Sequence, residues 1–306
     1  LSSTWANVAT LASDGSPATT MLVVSTDIWV GTDGAGLFHY SGGSVQQYDT
    51  QNALPSDNVV DLEMAGNYLL IGLADAGIAR RDLSTNNWVA TWNTGNWLLS
   101  DDVLEMSSVN GWVHILAEDV VYSYNTTSLS FASSWDMSDL NLARNPGESL
   151  IPWPSGGNRA PADHSVLVGD GSGAYTVLRP QMPNHGYGVG QLDWPQIVLA
   201  TGPTITEMTD AIELNGVLYI ASDDIIQRFN TSQYRWDTPL LATSQGVVLC
   251  IATDGTDLFI GTEGDGVTQM QTDGTIVSTW ETSDGLSANE VSDMEYDELT
   301  GQMIAI

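Results

Sequence analysis

Short apolar or alternating runs, rich in Val, Ile, Trp and Tyr, recur along the chain between clusters of Gly, Asp, Asn and Ser. Such runs, bounded by turn formers, predict β-strands, and no amphipathic helix of ordinary length is visible. The pattern repeats. Residues 27–40 read DIWVGTDGAGLFHY and residues 257–270 read DLFIGTEGDGVTQM; LPSDNVVDLEM at 54–64 matches LSANEVSDMEY at 286–296. An aromatic residue closes each unit: Trp5, Tyr48, Trp92, Trp135, Trp236 and Trp280, at spacings of 43, 44, 43, 101 and 44 residues. The long gap is two units, one of them enlarged. A period of ~40–45 residues carrying four short strands is that of a propeller blade.

Each unit divides into strands A to D. Strand A is read at 58–65, 102–109, 209–215 and 247–254, and strand B at 28–32, 68–74, 112–118, 217–223 and 258–263. Strand C is GLFHY, GIARRD, VVYSYN, IIQRFN or GVTQMQ, and strand D leads into the aromatic. The A and B strands read as apolar on both faces, as inner strands between neighbouring blades should; the C and D strands read as a more polar rim. The expected fold is a single all-β propeller over residues 1–306, with seven blades. The last blade would take strand D from residues 2–7 and strands A and B from 290–306. An open array is the alternative. That blade lacks a strand C, and the chain opens without Met, so a piece of a longer protein is expected.

Residues 137–206 break the pattern as an enlarged blade. They hold eight of the eleven Pro, three of the seven Arg (Arg144, Arg159, Arg179) and two of the four His (His164, His185). Within them HSVLVGDGSGAYTVLRP at 164–180 reads as a B and C pair, flanked by long loops at 141–163 and 181–206. Long loops on a compact scaffold are functional or disordered.

LPSDNVVDLEM followed by the IWVGTDGAGLFHY type of run resembles the two-component-regulator propeller repeat, whose pattern is LPSNxVxxL and then (L/I)WIGTxxGGLxRY. The resemblance covers nearly all of the chain outside 137–206, and it weakens in IGLADAGIARR, ILAEDVVYSY and IASDDIIQRF. It implies an extracytoplasmic sensor propeller, often tied to polysaccharide sensing, with a membrane anchor or signalling domain elsewhere in the full chain. Similar repeats occur in cell-surface and secretion proteins without a kinase.

Charge narrows the partners. The chain carries 38 Asp plus Glu against seven Arg and no Lys, a net charge of −31. Nucleic acid and anionic headgroups are therefore repelled, since both need clustered cations. A lysine-free acidic surface suits a salty medium, marine or halophilic, that screens it over ~3–8 Å. No segment is apolar enough over sufficient length to span a membrane. Cys250, in VVLCIA, is the lone cysteine and reads as a buried small hydrophobe.

Candidate chemistry is sparse. The acidic Gly turns at 32–36, 169–173, 252–257 and 262–266 are ordinary turn sequences or Ca²⁺ loops. None has the ligand spacing of a calcium loop, so no cofactor is expected, with Ca²⁺ as the alternative. Asn125 and Asn230 head Asn-x-Ser/Thr sequons in the same C-to-D turn of two units. They are glycosylation candidates, or simply turn residues like Asp82 in the equivalent place. Trp92, Trp135 and Trp280 read as packing between blades. Trp153 and Trp194 lie off-register in the long loops beside Pro. The expected ligand is a glycan or a protein at the long-loop face, contacted by Trp153, Trp194 and Tyr187, with Arg159 and Arg179 reading anionic groups and His164 and His185 nearby. No catalytic motif appears, so the expected function is non-enzymatic recognition. A polysaccharide lyase or glycosidase, and a structural or adhesive surface repeat, are the alternatives.

Overall fold

The computed structural model describes residues 5–7, 15–109, 111–118, 120–128, 130–136, 149–153, 165–169, 175–178, 209–230, 233, 235–241 and 246–306. Among them there is no α-helix, and the architecture is a propeller of four-stranded antiparallel blades. The first blade is β1 (Ala18–Val24), β2 (Asp27–Thr32), β3 (Leu37–Ser41) and β4 (Ser44–Tyr48). The second is β5 (Val59–Ala65), β6 (Tyr68–Leu73), β7 (Gly77–Asp82) and β8 (Asn87–Trp92). The third is β9 (Val103–Val109), β10 (Trp112–Ala117), β11 (Val120–Asn125) and β12 (Ser130–Asp136). A three-stranded sheet follows: β13 (Ser149–Trp153), β14 (Ser165–Gly169) and β15 (Tyr175–Leu178). Two more four-stranded blades are β16 (Asp210–Leu214), β17 (Val217–Ser222), β18 (Ile225–Asn230) and β19 (Arg235–Leu241), then β20 (Val248–Thr253), β21 (Leu258–Thr262), β22 (Val267–Met270) and β23 (Ile276–Trp280). A two-stranded sheet, β24 (Met294–Asp297) and β25 (Gln302–Ala305), ends the chain.

The chain forms two units, Leu1–Asn52 with Met208–Ile306, and Ala53–Glu207. In the first, the inner strands β16, β20, β24 and β1 lie side by side in that order. The ends of the chain meet here. Trp5 N donates to Asp284 O (3.2 Å), and the Trp5 ring stands edge-on to Trp280 at 6.1 Å. The expected strand D at 2–7 is not borne out where it can be seen, because Trp5–Asn7 forms no strand; residues 2–4 lie outside the described residues. In the second unit β9 lies between β5 and β13. Its core joins Leu70, Ile78 and Trp92 of one blade to Met106, Val113, Ile115 and Tyr122 of the next.

The apolar pattern needs correction strand by strand. The B strands are buried over most of their length, as expected: every residue of β10 and β21 is buried, and β6 and β17 are buried after their first residue. The A strands are not apolar on both faces, since β5 mixes buried with half-buried positions, β16 is half-buried up to Leu214, and the half-buried positions of both include carboxylates. The C strands are also more buried than a rim should be; β11 is buried over five of its six residues. Only the D strands behave as a rim, with β4 exposed up to Tyr48.

The closing aromatic has a physical role. Tyr48, Trp92 and Trp280 pair with Leu37, Ile78 and Val267, the first apolar residues of their C strands. Trp236 does not belong to this series. It pairs with Phe229 near the start of β19, and Leu240, opposite Ile226, takes the closing position. Counting aromatics misassigned that blade because register is set from the C-to-D turn, not from residue type. The glycine before each C strand is forced. Gly77 and Gly266 have φ of +78° and +72°, and a Cβ on either would overlap the carbonyl oxygen of Trp92 or Trp280. The degenerate repeats omit that glycine because they turn in two residues: Ala117 pairs with Val120 and Ser222 with Ile225.

Residues 141–163 were expected to be loop, but they contain the strand β13, whose five residues pair with β14. Pro152 is compatible because β13 is the edge of its sheet, so its missing N–H breaks no second ladder. The B and C pair read in 164–180 is β14 with β15.

Candidate functional site

The most regular chemistry lies on the inner strands. Each inner strand pairs with its own strand B on one side only. The N–H groups along its other edge need acceptors. The preceding blade supplies them as carboxylates. Asp61 Oδ2 accepts from Met106 N, Asp210 Oδ2 from Ile251 N at 2.7 Å, and Asp293 Oδ2 from Met21 N at 2.7 Å. In all three the second oxygen accepts the N–H of the next residue in its own strand, Leu62, Ala211 or Met294, at 2.6–2.7 Å. Two residues on, Glu63 repeats the contact to Ser108 N and Glu295 to Val23 N.

Register fixes what occupies the same position elsewhere. Asp61 stands opposite Gly72, Cys250 opposite Gly261 and Thr20 opposite Gly31. Cys250 therefore fills an acid's position. It is buried, and its Sγ–H donates to Val291 O, just ahead of β24, at 3.5 Å. The expectation of a buried Cys holds, and burial pushes its thiol pKa well up, with Asp210 and Asp293 adding to the rise.

These carboxylates titrate unusually. Burial pushes Asp210 up to about 7, opposed by the Ile251 N–H and raised further by the charge on Asp293. Burial pushes Asp293 up to about 6 and raises Glu63. The row ties blade to blade, and within it Asp210 and Asp293 keep their protons above the ordinary carboxylate range. The Asp of VVDLEM and of VSDMEY does not announce itself by any chemical motif. The available signal was an acid in the middle of an apolar inner strand, repeated in TDAIEL. Among the described residues no three His, Cys, Asp or Glu converge as a metal site.

The scarce cations have defined places. Arg80 Nε donates to Ala90 O at 2.8 Å and Arg228 Nε to Thr238 O at 2.7 Å, so two blades use Arg to tie strand C to strand D. Arg80 also lies over the Trp92 ring at 4.3 Å. The first repeat has His39 at that position, where it ties strand C to strand B instead: its ring stacks on Trp29 at 3.8 Å and its Nε2 meets Asp27 at 3.0 Å. Gln269 meets Asp257 in the matching position of the second copy.

Of the residues expected at a ligand site, Arg159, His164, Arg179, His185, Tyr187 and Trp194 lie outside the described residues, and Trp153 is described only as the last residue of β13. Asn125 and Asn230 are turn acceptors. Asn125 Oδ1 takes the N–H groups of Thr127 and Ser128, and Asn230 Oδ1 that of Gln233, just as Asp82 Oδ1 takes Ser84 and Thr85. An open cleft of about 300 Å³ lies beside the Asn125 sequon, walled by Asn67, Tyr68, Asp82, Ser84 and Thr127. The acidic Gly turns at 32–36 and 262–266 are closed from within, by Thr32 and Thr262 hydroxyls donating to Gly36 O and Gly266 O.

No family model matches the chain, and no curated protein does. Solved structures do. The extracellular domain of the hybrid two component system BT4673 from B. thetaiotaomicron superposes with a TM-score of 0.71 at 18% identity, covering 96% of this chain and 37% of that one. The corresponding domain of BT3049 from the same organism gives 0.66 at 12%, covering 94% and 38%. PorZ, a surface component of the type-IX secretion system of Porphyromonas gingivalis, gives 0.62 at 13%, covering 93% and 44%. The chain thus spans less than half the length of each. At these identities the likeness is one of fold, and it agrees with the resemblance to the two-component-regulator propeller read from LPSDNVVDLEM and IWVGTDGAGLFHY. Among the described residues no helix is long and apolar enough to cross a membrane.

Proposed function

We propose that this chain is an extracytoplasmic recognition propeller that binds a glycan and passes on its presence without turning it over. The observation that carries the reading is the likeness over nearly the whole chain to extracellular propellers of sensor systems. In this reading residues 1–306 form one seven-bladed ring. The two-stranded sheet β24–β25 and the N-terminal segment share the last blade, and residues 137–206 elaborate the fourth. The long loops of that blade carry the ligand site, with Trp153, Tyr187 and Trp194 stacking on sugar rings and Arg159 and Arg179 pairing with anionic groups. A membrane anchor or signalling domain lies elsewhere in the full chain.

The test is isothermal titration of the protein against soluble polysaccharides, neutral and uronate-bearing. Saturable binding to at least one is expected. Trp194→Ala should weaken it whatever the polymer's charge, and Arg159→Ala with Arg179→Ala should weaken only the anionic ones. Binding that survives all of these changes would remove the long loops from the site. Absence of binding to every polymer would remove the glycan.

A further inference from the structure

The loop joining strand D to the next strand A is built the same way three times. At its first residue, the N–H of Asp49, Asn93 or Glu281 is accepted by the side chain of the fourth, Asn52, Asn96 or Asp284. In two copies the second residue's N–H is held by the ninth residue's side chain: Thr94 by Asp101 at 2.6 Å and Thr282 by Asn289 at 2.8 Å. A leucine anchors each loop, Leu54 and Leu98 buried and Leu286 partly so. The scaffold is therefore complete without its fifth and seventh side chains, which are Ala53 and Pro55 in one copy and Gly285 and Ser287 in another.

In the middle copy those two places hold Trp97 and Leu99, which are 61% and 76% exposed. Neither is floppy. Trp97 N and Leu98 N donate to Asn93 O, and Leu99 N donates to Tyr122 OH at 2.7 Å. One face of the Trp97 ring rests on Phe131, at 5.8 Å and 28°, and Phe131 packs in turn on Trp92 and Tyr124. A large indole held against an aromatic cluster while most of its surface stays in water loses hydrophobic stabilisation unless something covers it.

We propose that Trp97, with Leu99 beside it, is a stacking platform for a neutral sugar ring. It is a binding subsite apart from residues 137–206, and it rests on the glycan reading above. The open face suits the C–H side of a pyranose. The charges of the loop itself are negative, Asp101 and Asp102, with Asp102 in the field of Glu118 and Asp75, while the Arg80 guanidinium over Trp92 is tied to Ala90 O. Carboxylates accept hydrogen bonds from sugar hydroxyls and repel uronates and sulfates.

The test uses the whole chain, as wild type, Trp97→Ala, Trp97→Phe and Leu99→Ala. Affinity electrophoresis runs each through gels holding a neutral β-glucan, a neutral galactan, alginate or a polyarginine peptide. The expected result is retardation of the wild type by a neutral polymer, weakened ~10-fold or more in Trp97→Ala and largely restored in Trp97→Phe, with melting temperatures unchanged. Equal retardation of wild type and Trp97→Ala overturns the platform and leaves the glycan reading standing on the long loops. Retardation by polyarginine alone that weakens in Trp97→Ala assigns the face to a basic protein and overturns the sugar. Retardation of the wild type by alginate alone overturns the neutral platform and leaves the glycan reading standing; no retardation by any of the polysaccharides overturns both.

Discussion

At the scale of single residues, the inner-strand carboxylates carry the most testable chemistry. Asp210→Ala leaves the Ile251 N–H without its acceptor, and a loss of ~1–3 kcal/mol is expected in denaturant unfolding. Asp210→Asn keeps an acceptor and should lose less. The two variants also separate in pH dependence. Asp210 and Asp293 hold protons to about 7 and about 6 in the folded chain, whereas in the unfolded chain they release them near the ordinary carboxylate value. Between those limits the folded state binds more protons. Their contribution to stability is therefore fully present below the unfolded value and is lost as pH rises through about 6 to 7. Melting temperatures of the wild type should fall across that window, and Asp210→Asn should flatten the fall; an unchanged slope would sink the assignment. Cys250 is predicted to resist a thiol reagent at pH 8 until the protein unfolds, because it is 3% exposed and its thiolate is disfavoured. Its burial was legible from VVLCIA. Its place in the acid row was not, because only strand register aligns Cys250 with Asp61.

At the scale of elements, the glycine before strand C is the strictest local demand. Gly77→Ala puts a methyl on the Trp92 carbonyl and should cost at least ~2 kcal/mol by denaturant titration. Gly42→Ala, also at positive φ but with open space around it, should cost less. Equal losses would mean that backbone strain, not the carbonyl contact, is the reason for glycine. Strand order, turn positions and the B-strand burial were readable from the sequence because alternation and turn residues act locally. What failed was set across strands: Leu240 in place of Trp236, the strand hidden in 149–153, and polar side chains such as Arg80 folded against strand D instead of facing water. The D-to-A loop was legible as LPSD and LSAN, yet the significance of Trp97 emerges only when three copies of one hydrogen-bonded loop are compared.

At the scale of the whole molecule, charge and recognition dominate. With 38 acids against seven Arg, added NaCl should raise the melting temperature by screening self-repulsion, and a fall would contradict that balance. The central claim is recognition without turnover. Its most direct measurement is incubation of the protein with each polysaccharide it binds, followed over hours by size-exclusion chromatography and reducing-end or unsaturated-product assay. Saturable binding with the polymer's length distribution unchanged is expected. Steady shortening of the polymer at catalytic protein concentrations would contradict it and make the propeller an enzyme.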